Sequence, residues 1–458
     1  MKKMLLSLLI VVVAVAVLPL IGNSFMKNAI DARLEQLNSY GVTVSKEQSQ
    51  SQYLNTQRHF EFLLEDADKF VAYLNKYADS QLPPYVNAMF EGVLIGADIE
   101  YSNFPFAKAV IIDIYPMSLS EEMSQNLQKE DLDFYNYIQK VLQAKGVLYH
   151  IEYNVLSEDF NGYIQDIKEA YTLKDGSELK VNLEGATFSG NGELVAPKRL
   201  STDLKMITIE LIQQSEKLLF DITGLKSASN YDSKSTYVSS MECANAVLKV
   251  QGTASDAEFV MNELKLNASS NTQNDFAQLA SKSSIQKLFV ASKQIDFSVS
   301  DFNMDIGVDK LDKKSFLETL DIFSKMKNMQ DPQLAKEFEE SFIALLSKGF
   351  LFNIADLSVS DVSLQGGEHL KHSELKSQIT LIEDKDFAQK MQMTPLLLAS
   401  NVSMLTNLRL SEEMFTKITN MKPLPVQFQT YIKRDGSDYI FDVEYKNGQV
   451  SINSKVVR

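Results

Sequence analysis

The chain has one cysteine, Cys243, among 458 residues. No intrachain disulfide can therefore hold the fold. Within "MECANAV" a lone thiol reads as a small packed residue and not as a reactive nucleophile. No Gly-x-Ser-x-Gly elbow occurs, and no glycine-rich phosphate loop ending in Lys-Ser or Lys-Thr, so neither of these catalytic signatures is present. Basic patches are also missing. The formal charge is −15 and the sequence pI is about 4.9, so a phosphate backbone is repelled and nucleic acid is excluded as a partner. Nothing in the pattern calls for a cofactor, and the chain reads as non-enzymatic.

What is present is a charge-free run, "MLLSLLIVVVAVAVLPLIG", from Met4 to Gly22. As a helix it is roughly 28 Å long at ~1.5 Å per residue, close to the ~30 Å core of a bilayer. That is longer than the apolar region of a cleaved signal peptide, and Gly22–Ser24 offers only a weak cleavage site. The spacing of Met26, Ile30, Leu34 and Leu37 continues the helix into a stalk. Lys2 and Lys3 precede the run, which orients the long C-terminal part out of the cytoplasm. The expectation is a retained signal anchor in a bacterial inner membrane, single-pass, with the bulk of the chain in the periplasm.

Beyond the stalk, period-two segments dominate. "GVTVSKEQ", "RHFEFLLED", "GVLIGADIEY" and "GVLYHIEYNVL" read as strands, and "ADKFVAYLNKYA" as an amphipathic helix ended before Pro83 and Pro84. Ser118 or Ser120 caps a helical region running to about Ala144 and stopping at Gly146. From Leu179 to Val308, apolar residues alternate with Ser, Thr, Asn, Asp or Lys, as in antiparallel sheets with one wet face. Asn191-Gly192, Asp435-Gly436 and Asn447-Gly448 are predicted hairpin turns. Helical period returns at Lys313, with a break at "NMQDPQ", where Asp331 is the N-cap and Pro332 the first helical residue. The resulting division is 1–24 signal anchor, 25–40 stalk helix, 41–178 mixed α/β region, 179–312 β-rich region, 313–349 helical insert and 350–458 C-terminal β-rich region with terminal hairpins. The fold class expected is α+β: an N-terminal transmembrane helix, then an extended, twisted, mostly antiparallel sheet with helices packed on one side.

The tail "EYKNGQVSINSK" resembles the C-terminal signature of the YdgA-like bacterial envelope proteins, a family of unknown function. An aromatic strand, an Asn-Gly turn and a short "Q-apolar-x-apolar-Asn" strand end that domain. "EYSNFPFAKA" stands where the family often carries His-Gly-Pro-Phe-Pro. It keeps Phe104, Pro105 and Phe106 but has Ser102 and Asn103 before them, so a role for that histidine does not transfer. The order of parts also matches along nearly the whole chain. The resemblance implies an inner-membrane anchor and an envelope-facing β-rich domain, and it implies no reaction.

The remaining candidates have plain structural readings. Glu368, His369 and His372 of "GGEHLKH" are close in sequence, but on a strand the two histidines face opposite ways, so no metal site is assigned. The acids of "DADKF" and "DLDF" lack the glycine and distal glutamate of a calcium loop. The methionines around Met326 and Met329 read as core. Phe104, Pro105 and Phe106 read as a turn that wedges two aromatics into the core. Two function classes remain. In one, the protein binds and shelters an apolar or lipid-like ligand along the inner sheet face. In the other, it is a scaffold for envelope protein assembly. The helix faces at Phe316, Leu320, Phe323, Leu334, Phe338 and Leu345 leave two readings of the Leu179–Val308 face: they cover part of it and leave an apolar strip, or together with the N-terminal region they fill it completely.

Overall fold

The structure, a computed structural model, describes residues 26–32, 34–78, 85–104, 109–194, 196–233, 235–252, 256–325, 332–364 and 367–457. The Met4–Gly22 run lies outside them, as do Pro83, Pro84, Pro105, Phe106, Met326, Met329 and Asp331. The chain divides into two compact units, Met1–Gln214 and Ser215–Arg458.

The N-terminal unit is built on β1 (Val42–Ser51), β2 (Asn55–Leu64), β3 (Leu94–Ser102), β4 (Ala109–Pro116), β5 (Tyr149–Asn154), β6 (Asp159–Ile164), β7 (Ile167–Thr172), β8 (Glu178–Glu193) and β9 (Ala196–Gln213). β1 to β6 pair in chain order, all antiparallel. β8 is long enough to pair with β7 along its first part and β6 along its second, and with β9 on its other edge. Helices reach both faces of this sheet. Asp31, in the helical residues 26–32, pairs with Arg58 at 2.7 Å. The next residue of β2, His59, points the other way and pairs with Asp98, which also holds Lys145, just beyond the Leu132–Gln143 helix. Val42, Leu64 and Val93 form the core on the Arg58 side, with Leu37, Phe62 and Phe70 against it.

The C-terminal unit contains β10 (Glu216–Ser233), β11 (Thr236–Gln251), β12 (Ala257–Asn271), β13 (Phe276–Ser292), β14 (Asp296–Asp312), β15 (Phe350–Leu364), β16 (Glu368–Leu381), β17 (Val402–Leu410), β18 (Lys433–Asp435), β19 (Asp438–Lys446), β20 (Gln449–Ile452) and β21 (Lys455–Val456). β10 to β17 pair in chain order, all antiparallel, and β19 adds to β17. β18 and β20 share the outer edge of β19, and β21 follows β20. β10 has 18 residues, roughly 60 Å of strand at the ordinary rise.

The expected class is corrected. Strand makes up 58% and helix 25%, so the chain is mostly antiparallel β. Among the described residues no helix is long and apolar enough to cross a membrane. The described helices are short and amphipathic, because each has one apolar stripe to bury against a sheet. Nor do the helices form a layer on one side. In the C-terminal unit they pack at strand ends. Phe316 and Leu345 pack with Ala277 and Leu311, at the start of β13 and the end of β14. Phe387 and Leu398 pack with Leu381 and Val402, where β16 ends and β17 begins. Phe415 of the Glu412–Met421 helix stacks on Tyr439 at 3.9 Å.

Local signals vary in how they resolve. Ser120 caps its helix through the Met123 amide, and Ser411 does the same for Met414. The region to Ala144 is two helices, because Asp131 caps the second while ending the first. Lys446 pairs with Gln449, leaving Asn447 and Gly448 as a two-residue turn, both with positive φ. Asp435 pairs with Asp438 around Gly436. Asn191-Gly192 is not the turn. It lies inside β8 as a register shift, tied sideways by Asn191 donating to the Ser157 carbonyl and by the Gly192 amide donating to Glu158.

One feature has no counterpart in the sequence reading. Gly185, Gly224, Glu263 and Asp301 all have positive φ inside long strands, at nearly even spacing along the chain. Each falls in every second strand, β8, β10, β12 and β14. A left-handed residue costs a non-glycine about 1–2 kcal/mol, yet Glu263 and Asp301 adopt it. At Asp301 the Ser360 hydroxyl donates to the Asp301 carboxylate at 2.8 Å and to the Ser300 carbonyl. At Gly224 an added Cβ would lie 2.8 Å from the Ala244 Cβ. Gly224→Ala is therefore expected to lower the unfolding free energy by about 1–3 kcal/mol, measured by urea denaturation. Gly436→Ala, with positive φ but open space around it, should cost less.

Candidate ligand-binding face

Cross-strand register in the C-terminal unit assembles two adjacent rows of opposite character. One runs Ser227, Met241, Leu266, Ser283, Met304, Leu357, Leu375, Leu408 and Phe441, each directly opposite the next across nine strands. Its neighbour runs Lys226, Glu242, Lys265, Ser284, Asn303, Ser358, Glu374 and Arg409. Consecutive residues of a strand point to opposite faces, so one face is apolar here and the other charged. The apolar row is roughly 38 Å long at the usual strand spacing. Two residues along each strand the apolar face continues, with Leu225 beside Cys243 and Ile285 beside Phe302.

This face is only partly covered. The apolar members of the row are half-buried, and none belongs to the buried core. The Glu412–Met421 helix covers its β19 end, where Phe415 lies 6.0 Å from Phe441. The other helices pack at the strand ends described above. Cys243 is the exception, at 5% exposure. Burial pushes its thiol upward, which keeps it protonated and apolar among the leucines.

The surface also carries other depressions, one of about 640 Å³ lined by Tyr53, Leu54, Tyr101, Ala109 and Ile111 in the N-terminal unit. A second of about 550 Å³ involves Asn230, Asp232, Ser269, Gln278 and Asp305. Another of about 540 Å³ is bounded by Glu65, Asp66, Asp68, Glu91, Glu121 and Glu122. Those acids work locally. Asp66 accepts from the Lys69 amide, and Glu91 from the Ala67 amide. Among the described residues no group of His, Cys, Asp and Glu is placed to hold a metal ion. His369 and His372 share β16, where His369 pairs with Asp361 at 3.0 Å.

The N-terminal unit carries a polar ladder that sequence reasoning missed. Gln48, His59, Asp98, Asp113, His150, Tyr163, Thr187 and Asp203 stand opposite one another in turn. His59 donates to Asp98 at 2.7 Å and His150 to Asp113 at 2.7 Å. Two carboxylates face each other at its centre, an unfavourable pairing unless charge is balanced. Lys145 supplies the balance, reaching Asp98 at 2.6 Å over the Tyr115 ring. Burial pushes the Asp98 carboxyl up, but hydrogen bonds from Lys145 and His59 and the Lys145 charge outweigh it, and the group stays below the usual carboxylate range. A depressed folded value gives stability that is present above the unfolded value and is lost as pH falls through the folded one. Asp98→Asn should therefore lower stability at pH 7 and narrow the gap between pH 7 and pH 3, read from urea midpoints at the two pH values. No sequence spacing connects these residues, since pairing brings together positions far apart in the chain.

Phe104 is half-buried, with its amide donating to the Ser102 hydroxyl at 3.2 Å; Pro105 and Phe106 lie outside the described residues. The anchor of that segment is its neighbour Asn103, 2% exposed. Its side chain donates to the carbonyls of Gln52 and Tyr53 and accepts from the Thr56 hydroxyl at 2.8 Å. Asn103 thereby ties the β1–β2 turn to the end of β3. Asn103→Ala should cost about 1–3 kcal/mol of stability, because it removes three hydrogen bonds of a buried amide, and proteolysis should then cut the exposed Tyr53–Leu54 turn faster.

No family model, curated protein or solved structure matches the chain.

Proposed function

We propose that the chain is a non-enzymatic binding protein that shelters a long, lipid-like ligand on the apolar row from Met241 to Leu408. The observation that carries this is the row itself: seven strands in register from β11 to β17, mostly apolar on one face with a polar and charged row on the other, and with no described helix extending across its middle. Burying a few hundred Å² of such a face is worth several kcal/mol at ~25 cal/mol per Å². A long, shallow strip suits an extended chain better than a compact molecule. Its openness favours this reading over a scaffold role, in which a closed core would stand beside a separate sticky patch.

The reading places the protein in the bacterial envelope, with the bulk of the chain on the periplasmic side. It draws on the charge-free run after Lys2 and Lys3, and on the resemblance to YdgA-like envelope proteins. The acidic balance of the chain agrees with a partner that is not nucleic acid.

A fluorescent apolar probe tests the site. Leu357→Lys and Leu266→Lys each put a charge on the row, and each should weaken probe binding more than tenfold while leaving the circular dichroism spectrum intact. Lys265→Ala, on the charged face, should leave binding unchanged. Equal binding by all four chains, with no lipid retained in native mass spectrometry of the wild type, would sink the reading.

A further inference from the structure

The helices Lys313–Lys325 and Pro332–Ser347 pair so that the first begins in the core and the second ends there. At one end Phe316 and Leu345 pack with Ala277, Leu311, Leu279 and Val308. Val308 shares a face of β14 with Met304 of the apolar row, since both are an even number of residues apart. Farther along, Phe338 packs with Phe323 at 5.8 Å and with Phe342 at 5.9 Å between ring centroids. Yet Phe323 is 56% exposed and Phe342 43%. An apolar path thus runs from the row, through the helix base, to an aromatic ridge in solvent.

We propose that the Phe323–Phe338–Phe342 ridge is a membrane contact, inserting into the apolar boundary of a lipid bilayer beside the ligand face. The proposal rests on the reading of that face as a lipid-binding surface and names the source of its ligand. Two observations select a bilayer as the occupant. The ridge offers roughly 200–300 Å² of ring surface, well short of the ~800 Å² per partner of a stable protein interface. A few inserted rings suffice at a membrane interface. The described lysines closest to the rings are already paired, Lys325 with Asp321 at 2.5 Å, Lys314 with Glu318 at 3.8 Å and Lys336 with Glu340 at 3.8 Å, and the residues flanking Phe338 are Glu337 and Glu339, so nothing described beside the rings favours an anionic headgroup. The contact is therefore apolar, and neutral lipid serves it as well as anionic lipid.

The chain contains no tryptophan, so Phe323→Trp and Phe342→Trp each introduce a single reporter into the full-length protein. Both variants should keep the parental thermal transition. With neutral phosphatidylcholine vesicles, their emission should shift to the blue, and lipids brominated on the acyl chains should quench it at least twofold, equally at low and high salt. Met421→Trp, at a position 78% exposed on another helix, should not respond. Water-like emission from both Phe variants while the protein floats with the vesicles overturns the proposal, because another segment then holds the membrane. A blue shift that grows with protein concentration without vesicles overturns it too, assigning the ridge to a second copy. The probe assay on the row needs no vesicles, so the two readings separate. A vesicle response without probe binding supports the bilayer contact and removes the ligand site; probe binding without a vesicle response does the reverse.

Discussion

The cross-strand register of the C-terminal unit is the constraint on which the rest depends. Side-chain period in a strand is two, so a slip of one residue would exchange Leu266 for Lys265 and Met241 for Glu242, turning the apolar row into the charged one. Nine strands must agree for the row to exist. Each antiparallel neighbour inherits its register from the one before, which is why the chain uses tight two-residue turns such as Asn447-Gly448 where strands are short. Where strands are long, the left-handed residues at Gly224, Glu263 and Asp301 recur at matching places.

The same register explains why the helices end where they do. Apolar residues at the strand ends, Ala277, Leu311 and Leu381, are buried against Phe316, Leu345 and Phe387. Those of the middle, Met304, Leu357 and Leu375, are half-buried. The described helices pack at the strand ends and not over the middle of the row. The aromatic ridge belongs to the helical pair whose base packs at the strand ends, and its rings away from that base are exposed.

In the N-terminal unit the organising force is different. Arg58 is buried at 3% exposure between Asp31 and Glu47, and the Asp98–Lys145 pair lies on the opposite face. Both fasten helices to the sheet through charge. Arg58 is the costly one to strip of its partners, because its own side chain is buried; the more exposed Asp98–Lys145 pair is screened by water. Asn103 does the equivalent work with neutral hydrogen bonds, fastening a turn. These groups read as fasteners, and the titratable ladder around Asp98 owes its order to pairing within the sheet.

Much of the β architecture was legible in the sequence. Period-two alternation marked much of the C-terminal unit, although in shorter pieces than the strands observed; Ser118 or Ser120 announced a helix start, and Gly436 and Gly448 announced turns. These are local signals, decided by backbone preference and by the nearest few residues. Other features could not be read. Asn191-Gly192 has the composition of a turn, but hydrogen bonds to Ser157 and Glu158 hold it within a strand. "DLDF" reads as a charged helix face, yet Asp131 both ends one helix and caps the next. His59, Asp98, Asp113 and His150 are distant in the chain and meet only through pairing. The sequence alone determined that there would be long amphipathic strands, since alternation is a property of each strand by itself. Which residues stand side by side, whether a helix covers them, and so whether an apolar face becomes core or binding surface, was decided by tertiary structure, because register and covering are relations between segments that no single segment encodes.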